Sequence, residues 1–214
     1  MNRRQFGITA ALAVAATQLA PLSAEESPLT PLAGIEAPVL DQKQLVQFVT
    51  DVGEMTFAIY PQAAPNAAKR FLELVSSGFY DNTPIFRVVP GFVAQFGINW
   101  RPKHKDWKEN NFKDDPSLFK LDEGTLAFAK AGKDTNSCQV FINYGENSRL
   151  AKNGGFSTFG KVVSNFDVAK KFKSVGDPGM GLDQDWLWSK GEAYLDAISE
   201  KPNMIIKASL VPAS

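Results

Sequence analysis

Residues 85–97 read Ile-Phe-Arg-Val-Val-Pro-Gly-Phe-Val-Ala-Gln-Phe-Gly, and no other stretch narrows the possible folds as much. Two apolar runs meet at a Pro90-Gly91 corner, which predicts strand, turn, strand. A single cation, Arg87, interrupts the first run, and a single amide, Gln95, interrupts the second. Side chains alternate along a strand, so Arg87 shares a face with Val89, and Gln95 shares one with Val93. Both polar groups thus lie on faces that also carry apolar groups. Desolvating a guanidinium without partners is costly, so an Arg placed there points to a ligand.

The rest of the chain repeats the theme of short apolar runs between turns. Strands are predicted over 45–50 and 55–60, joined by the hairpin signal Asp51-Val52-Gly53. Further strands are predicted over 86–89, 92–96, 125–129, 139–143, 158–163 and 204–211. Pro65 starts a helix that carries the apolar stripe Ala68, Phe71, Leu72, Leu74 and Val75 and ends at Gly78. A second helix is expected over 166–172, and a short one over 192–199. Residues 176–203 are otherwise read as loop, with Trp186 and Trp188 two apart on an extended segment that covers the core. Sixteen Phe and thirteen Pro in 214 residues suit an all-β chain with frequent turns. The expected architecture is a closed eight-stranded antiparallel barrel capped by two short helices.

Charge and inventory exclude several functions. Lys and Arg number 23 and Asp and Glu 23, which leaves no electrostatic footprint for nucleic acid or an anionic membrane surface. One His, His104 in a Lys-flanked loop, and one Cys, Cys138, make a poor metal set and a poor hydrolase. Cys138 is read as a small packed strand residue in preference to a reactive thiol. No metal and no cofactor is expected.

The first residues read as an address. Arg3-Arg4 precedes an Ala-rich apolar stretch from Ile8, and Leu22-Ser23-Ala24 offers a cleavage site. Residues 1–24 are therefore expected to be an export signal. Asn2-Arg3-Arg4-Gln5-Phe6 is similar to the twin-arginine signal, while Gly7 departs from it and leaves the general secretory route open. Residues 25–42, with Pro28, Pro31 and Pro38, are read as a Pro-rich spacer, and 43–214 as the domain. The expected setting is a bacterial periplasm, with a monomer that keeps no membrane anchor after cleavage.

Arg87, Pro90, Gly91, Phe92, Gln95 and Gly97 resemble the most specific motif of the cyclophilin peptidyl-prolyl isomerases, F-H-R-x-x-P-G-F-x-x-Q-x-G. Residues 129–142, Ala-Lys-Ala-Gly-Lys-Asp-Thr-Asn-Ser-Cys-Gln-Val-Phe-Ile, are similar to that family's A-N-A-G-x-N-T-N-G-S-Q-F-F-I. Phe159-Gly160-Lys161-Val162-Val163 resembles its V-F-G-x-V strand. The resemblance implies the same barrel, with a substrate groove on its outer wall, and the rotation of Xaa-Pro bonds in proline-containing unfolded polypeptides. It implies Arg87 as the donor to the twisted imide, and Phe92, Val93, Phe141 and Leu150 as the proline pocket. Gln95 and the backbone of Ala129 and Lys130 would hold the peptide, with Gln139 supporting Arg87 or the groove wall.

The departures from the family pattern cluster at the groove. Val93 stands for the usual Met, Lys130 for Asn, and Phe96 for the first of two glycines. Arg149 falls where many members have Trp, and Phe156 near the family's active-site His, which makes that part of the groove more apolar. Residues 98–123, with Trp100 and Trp107, replace a Gly-rich loop and are expected to reshape one rim. A rival reading remains: a proline-peptide-binding chaperone or assembly factor on the same fold. Arg87 separates the two, because an enzyme needs it for rate and a binder needs mainly the apolar pocket.

Overall fold

The computed structural model describes residues 29–212; the expected export signal and its cleavage site lie outside them. Eight strands close into one antiparallel barrel. They are β1 Gln44–Thr50, β2 Gly53–Ile59, β3 Thr83–Val89, β4 Val93–Phe96, β5 Thr125–Phe128, β6 Val140–Asn143, β7 Thr158–Ser164 and β8 Met204–Leu210. Their order round the barrel is β1-β2-β7-β5-β6-β4-β3-β8. Each strand predicted from the sequence is present, within three residues at either end.

The lumen is filled and leaves no room for substrate. Phe48, Phe57, Phe71, Tyr80, Phe96 and Phe159 are fully buried there. Ring centres lie 4.8 Å apart for Phe48 and Phe57, and 5.2 Å for Phe71 and Phe159. Edge-on and tilted packing at such distances is what aromatic quadrupoles favour. Phe71 comes from α1, Pro65–Ser76, which closes one end of the barrel. Its N-cap residue, Ala64, has no side chain to offer. Asp115, from the 98–123 insert, does the capping instead, accepting from the backbone N–H groups of Asn66 (3.1 Å) and Ala67 (2.8 Å).

Helices are more numerous than the sequence suggested. Besides α1, the chain forms α2 Ser148–Gly154, α3 Phe166–Ala169, α4 Gln184–Lys190 and α5 Glu192–Ala197, with a 3₁₀ turn at Lys105–Lys108. Helix α3 ends three residues short of its expected end, and α5 two. Helix α4 corrects the extended reading of Trp186 and Trp188. Asp183 caps it by accepting from the backbone N–H of Trp186 at 2.8 Å, and Gly191 follows its last residue. Those two signals were available in the sequence but were outweighed by the nearby glycines. Helix α4 holds Leu187 in a small second core with Phe86, Ile98, Val175, Leu182 and Leu195, packed outside the barrel. The tail covers the barrel through its leucines and through Trp188, which packs against both the barrel core and this second core. Trp186 is exposed and Trp188 half-buried.

Two other segments are more integrated than their composition implied. Within the 25–42 spacer, Leu29 and Leu32 are buried, and Pro31 pairs with Phe119 in an isolated bridge. The backbone N–H of Leu32 donates to Leu118 O at 2.9 Å, and that of Lys120 to Thr30 O at 2.8 Å. His104, read as a loop residue, is only 3% exposed, with its ring edge-on to Phe79. Burial first, then Lys103 and Arg101, lowers its pKa, so the imidazole is neutral at pH 7. Cys138 is buried beside α1, and burial pushes its thiol up to about 12, consistent with an inert packed residue.

Candidate active site

The outer face of the barrel carries the polar residues singled out from the sequence. A β-bulge between Ile85 and Arg87 makes the positioning possible. Ile85 points into the lumen, and two residues on Arg87 would do the same in a regular strand. The extra residue reverses the phase, so that Arg87 faces outward while Val88 returns to the core. Cross-strand register then builds a row: Arg87 opposite Gln95, Gln95 opposite Phe141, and Phe141 opposite Ala127. A row of this kind brings side chains from four strands within contact distance.

The row opens into a cleft of about 250 Å³. Its lining includes Arg87, Phe92, Val93, Gln95, Ala129, Lys130, Phe141, Leu150 and Phe156. Nine of the eleven residues singled out from the sequence therefore meet at one surface. Gln139 lies just outside, behind Gln95. Arg149 is not brought in, since it occupies the exposed side of α2 while Leu150 turns toward the cleft. The apolar wall is continuous, with Phe156 edge-on to Phe141 at 5.9 Å. Behind it pack Leu121, Ala151 and Leu32, the last from the supposed spacer.

Arg87 is held on two sides. Its Nε donates to the Gly179 carbonyl at 2.7 Å, and its Nη1 donates to Gln95 Oε1 at 3.0 Å. The guanidinium also lies 5.7 Å from the centre of the Phe92 ring. Among the described residues no carboxylate pairs with it, and Nη2 has no hydrogen-bond partner. Burial lowers its pKa, yet a guanidinium stays charged at any working pH. The result is an uncompensated cation with a donor left over at the edge of an apolar cleft.

A chain of amides extends from it. Because Arg87 can only donate, Gln95 must present its oxygen, which turns its amide nitrogen toward Gln139. Gln95 Nε2 donates to Gln139 Oε1 at 2.8 Å, and Gln139 Nε2 donates to Gln184 Oε1 at 2.9 Å. The one-way donor in Arg87 thus fixes three amide orientations, up to the first turn of α4. Gln139 supports Arg87 through Gln95, one of the two roles expected of it. Gly179 and Gln184 had no signal in the sequence beyond a glycine-rich loop and a polar residue. Their positions depend on how the tail folds back over β3.

Lys130 lines the cleft, with its ammonium 5.3 Å from the centre of the Phe156 ring. Its ammonium donates to Asp114 Oδ2 at 2.7 Å and to the Gly155 carbonyl at 2.9 Å, which ties the insert to the C-terminal end of α2. The insert contributes no residue to the cleft lining itself; its Lys108 and Glu109 line the hollow next to it.

Residues 45–185 match the sequence profile of the cyclophilin type peptidyl-prolyl cis-trans isomerases. The chain belongs to the cyclophilin family. Curated relatives include peptidyl-prolyl cis-trans isomerase A of Dickeya dadantii, 34% identical over 143 residues that make up 64% of this chain and 74% of that protein. Isomerase B of Escherichia coli is 33% identical over 150 residues, 66% of this chain and 91% of that protein. Among solved structures, a cyclophilin type isomerase of Cryptosporidium parvum superposes with a TM-score of 0.62 at 24% identity, over 81% of this chain and all of that one. In this chain the insert and the tail meet beside the cleft, with the Lys108 ammonium 5.8 Å from the Trp188 ring.

Proposed function

We propose that the cleft binds the proline of an unfolded polypeptide and that Arg87 accelerates rotation about the preceding peptide bond. The barrier to that rotation is roughly 20 kcal/mol, because the amide must give up its partial double bond. Phe92, Val93, Phe141, Leu150 and Phe156 seat the pyrrolidine ring. As the bond twists, the imide nitrogen becomes pyramidal and regains its lone pair. An N–H of the Arg87 guanidinium donates to that lone pair more strongly than to the planar amide nitrogen. This difference between transition state and ground state is the condition for acceleration. The reaction needs no covalent intermediate and no cofactor. The observation that carries the reading is the uncompensated Arg87 with a spare donor at an apolar wall.

The test is exchange NMR on a short Xaa-Pro peptide. Line broadening and exchange cross-peaks should grow with substoichiometric protein. Exchange unchanged at saturating protein, with the peptide bound, would replace the isomerase reading with that of a proline-recognising chaperone.

The signal-like pattern of residues 1–24 supports exported polypeptides as the clients and the periplasm as the setting. Mass spectrometry of the chain from its native cell should then find a mature N-terminus at Glu25. An intact N-terminus on a chain that fractionates with the cytoplasm would overturn this setting.

A further inference from the structure

The proline cleft is one end of a longer trench. Gln95, Ala129 and Lys130 line both the cleft and an adjoining hollow of about 330 Å³. That hollow shares Lys108, Glu109 and Trp188 with a third, of about 560 Å³. The outer hollow is the work of two segments: the 3₁₀ turn of the insert on one side and α4 of the tail on the other. They touch across it, with the Lys108 ammonium 5.8 Å from the Trp188 ring. Trp188 lies beyond the residues that match the family profile.

We infer that this outer hollow is a binding site for the substrate chain itself, holding residues several positions away from the proline. The inference rests on the reading of the proline cleft given above. Adjacency identifies the occupant, since an extended polypeptide with its proline seated beside Arg87 passes over the shared Gln95, Ala129 and Lys130 into the neighbouring hollows. The chemistry also fits a polypeptide. Trp188 offers a half-buried indole face for an apolar side chain, of the kind that anchors peptide interfaces. Asp106, Glu109 and Asp185 line the hollow without an ion pair among the described residues, leaving carboxylates for a Lys or Arg of the client. The amide chain from Arg87 ends at Gln184 in the same helix, so the wall of the trench and the guanidinium are held in one frame.

The experiment compares dissociation constants, not turnover, for the full mature chain. The probes are a four-residue Xaa-Pro peptide and two versions extended by six residues containing Leu and Lys, one on each side of the proline. One extension should bind about tenfold tighter than the short peptide, and the other should not. Trp188→Ala should abolish that gain while leaving the short peptide's affinity unchanged. Because Trp188 also packs against the tail core, Lys108→Asp on the exposed opposite wall provides a second variant; it removes a cation and adds a carboxylate, so it should enlarge the gain of the Lys-containing peptide and leave the short peptide's affinity unchanged. Equal affinity for all three peptides, or a gain that Trp188→Ala leaves intact and Lys108→Asp fails to enlarge, would overturn the proposal. Failure of the isomerase reading shows up separately, as absence of exchange catalysis on the short peptide.

Discussion

Arg87→Ala lowers kcat/KM for Xaa-Pro rotation by about 10²–10³-fold, the usual cost of removing one donor aimed at a developing transition state. Peptide affinity should stay within a few-fold of wild type, because the apolar wall of Phe92, Val93, Phe141 and Leu150 remains. Stability should change little, since Arg87 is half-exposed and has no ion pair among the described residues to lose. Arg87→Lys should be almost as damaging. A lysine keeps the charge, but its ammonium cannot reach the Gly179 carbonyl, Gln95 Oε1 and a substrate nitrogen from one planar fork. Exchange NMR for rate and titration for affinity separate the effects. Recovery of most of the activity in Arg87→Lys would mean that charge alone suffices, and the role given to the fork would be wrong. Loss of affinity in step with rate in Arg87→Ala would mean that Arg87 binds ground state and transition state alike.

How much of this was legible follows from how far apart the interacting groups lie in sequence. The barrel was legible because each strand carries its own short apolar run and turn, as in the 85–97 hairpin. Most of the cleft was legible because seven of its nine residues sit in two motifs, one on β3 and β4 and the other on the loop into β6 and on β6 itself, and antiparallel register brings them side by side; Leu150 and Phe156 come from α2 and the loop after it. What stayed hidden lies in groups whose partners are remote. The Gly179 carbonyl reaches Arg87 across 92 residues, and Asp115 caps a helix that begins 50 positions earlier. No local pattern records such contacts. Helices α2 and α4, seven residues each, are too short for periodicity to stand out from a loop. Leu32 was assigned to a spacer because Pro-rich composition describes the backbone and says nothing of where one leucine is buried.

The tail loop supplies the second large effect, through a pair of glycines that act as each other's control. Gly179 and Gly181 both hold a positive φ, +79° and +80°, so an alanine at either position suffers the same backbone penalty of about 1–2 kcal/mol. Their surroundings differ. A Cβ on Gly179 would meet nothing within 4 Å, whereas one on Gly181 would run into the Phe86 carbonyl oxygen and lie 2.7 Å from Arg87 Cβ. The backbone of β3 is held by its pairing with β4 and β8, and the loop is drawn against it because the same Phe86 carbonyl accepts from the Leu182 N–H at 2.8 Å. The loop must lift instead, and the Gly179 carbonyl leaves Arg87 Nε as it goes. Gly181→Ala is therefore expected to cost roughly 3 kcal/mol or more in stability, backbone strain and overpacking together. It should also lower kcat/KM by about 10- to 100-fold, because a guanidinium displaced by about 1 Å no longer meets the twisted nitrogen. Gly179→Ala keeps its carbonyl in place and should lose only the backbone term, with rotation nearly normal. Thermal unfolding and exchange NMR on the two variants read stability and catalysis independently. Equal losses in both would show that the loop is not pressed against Arg87, and that the guanidinium is positioned by Gln95 alone.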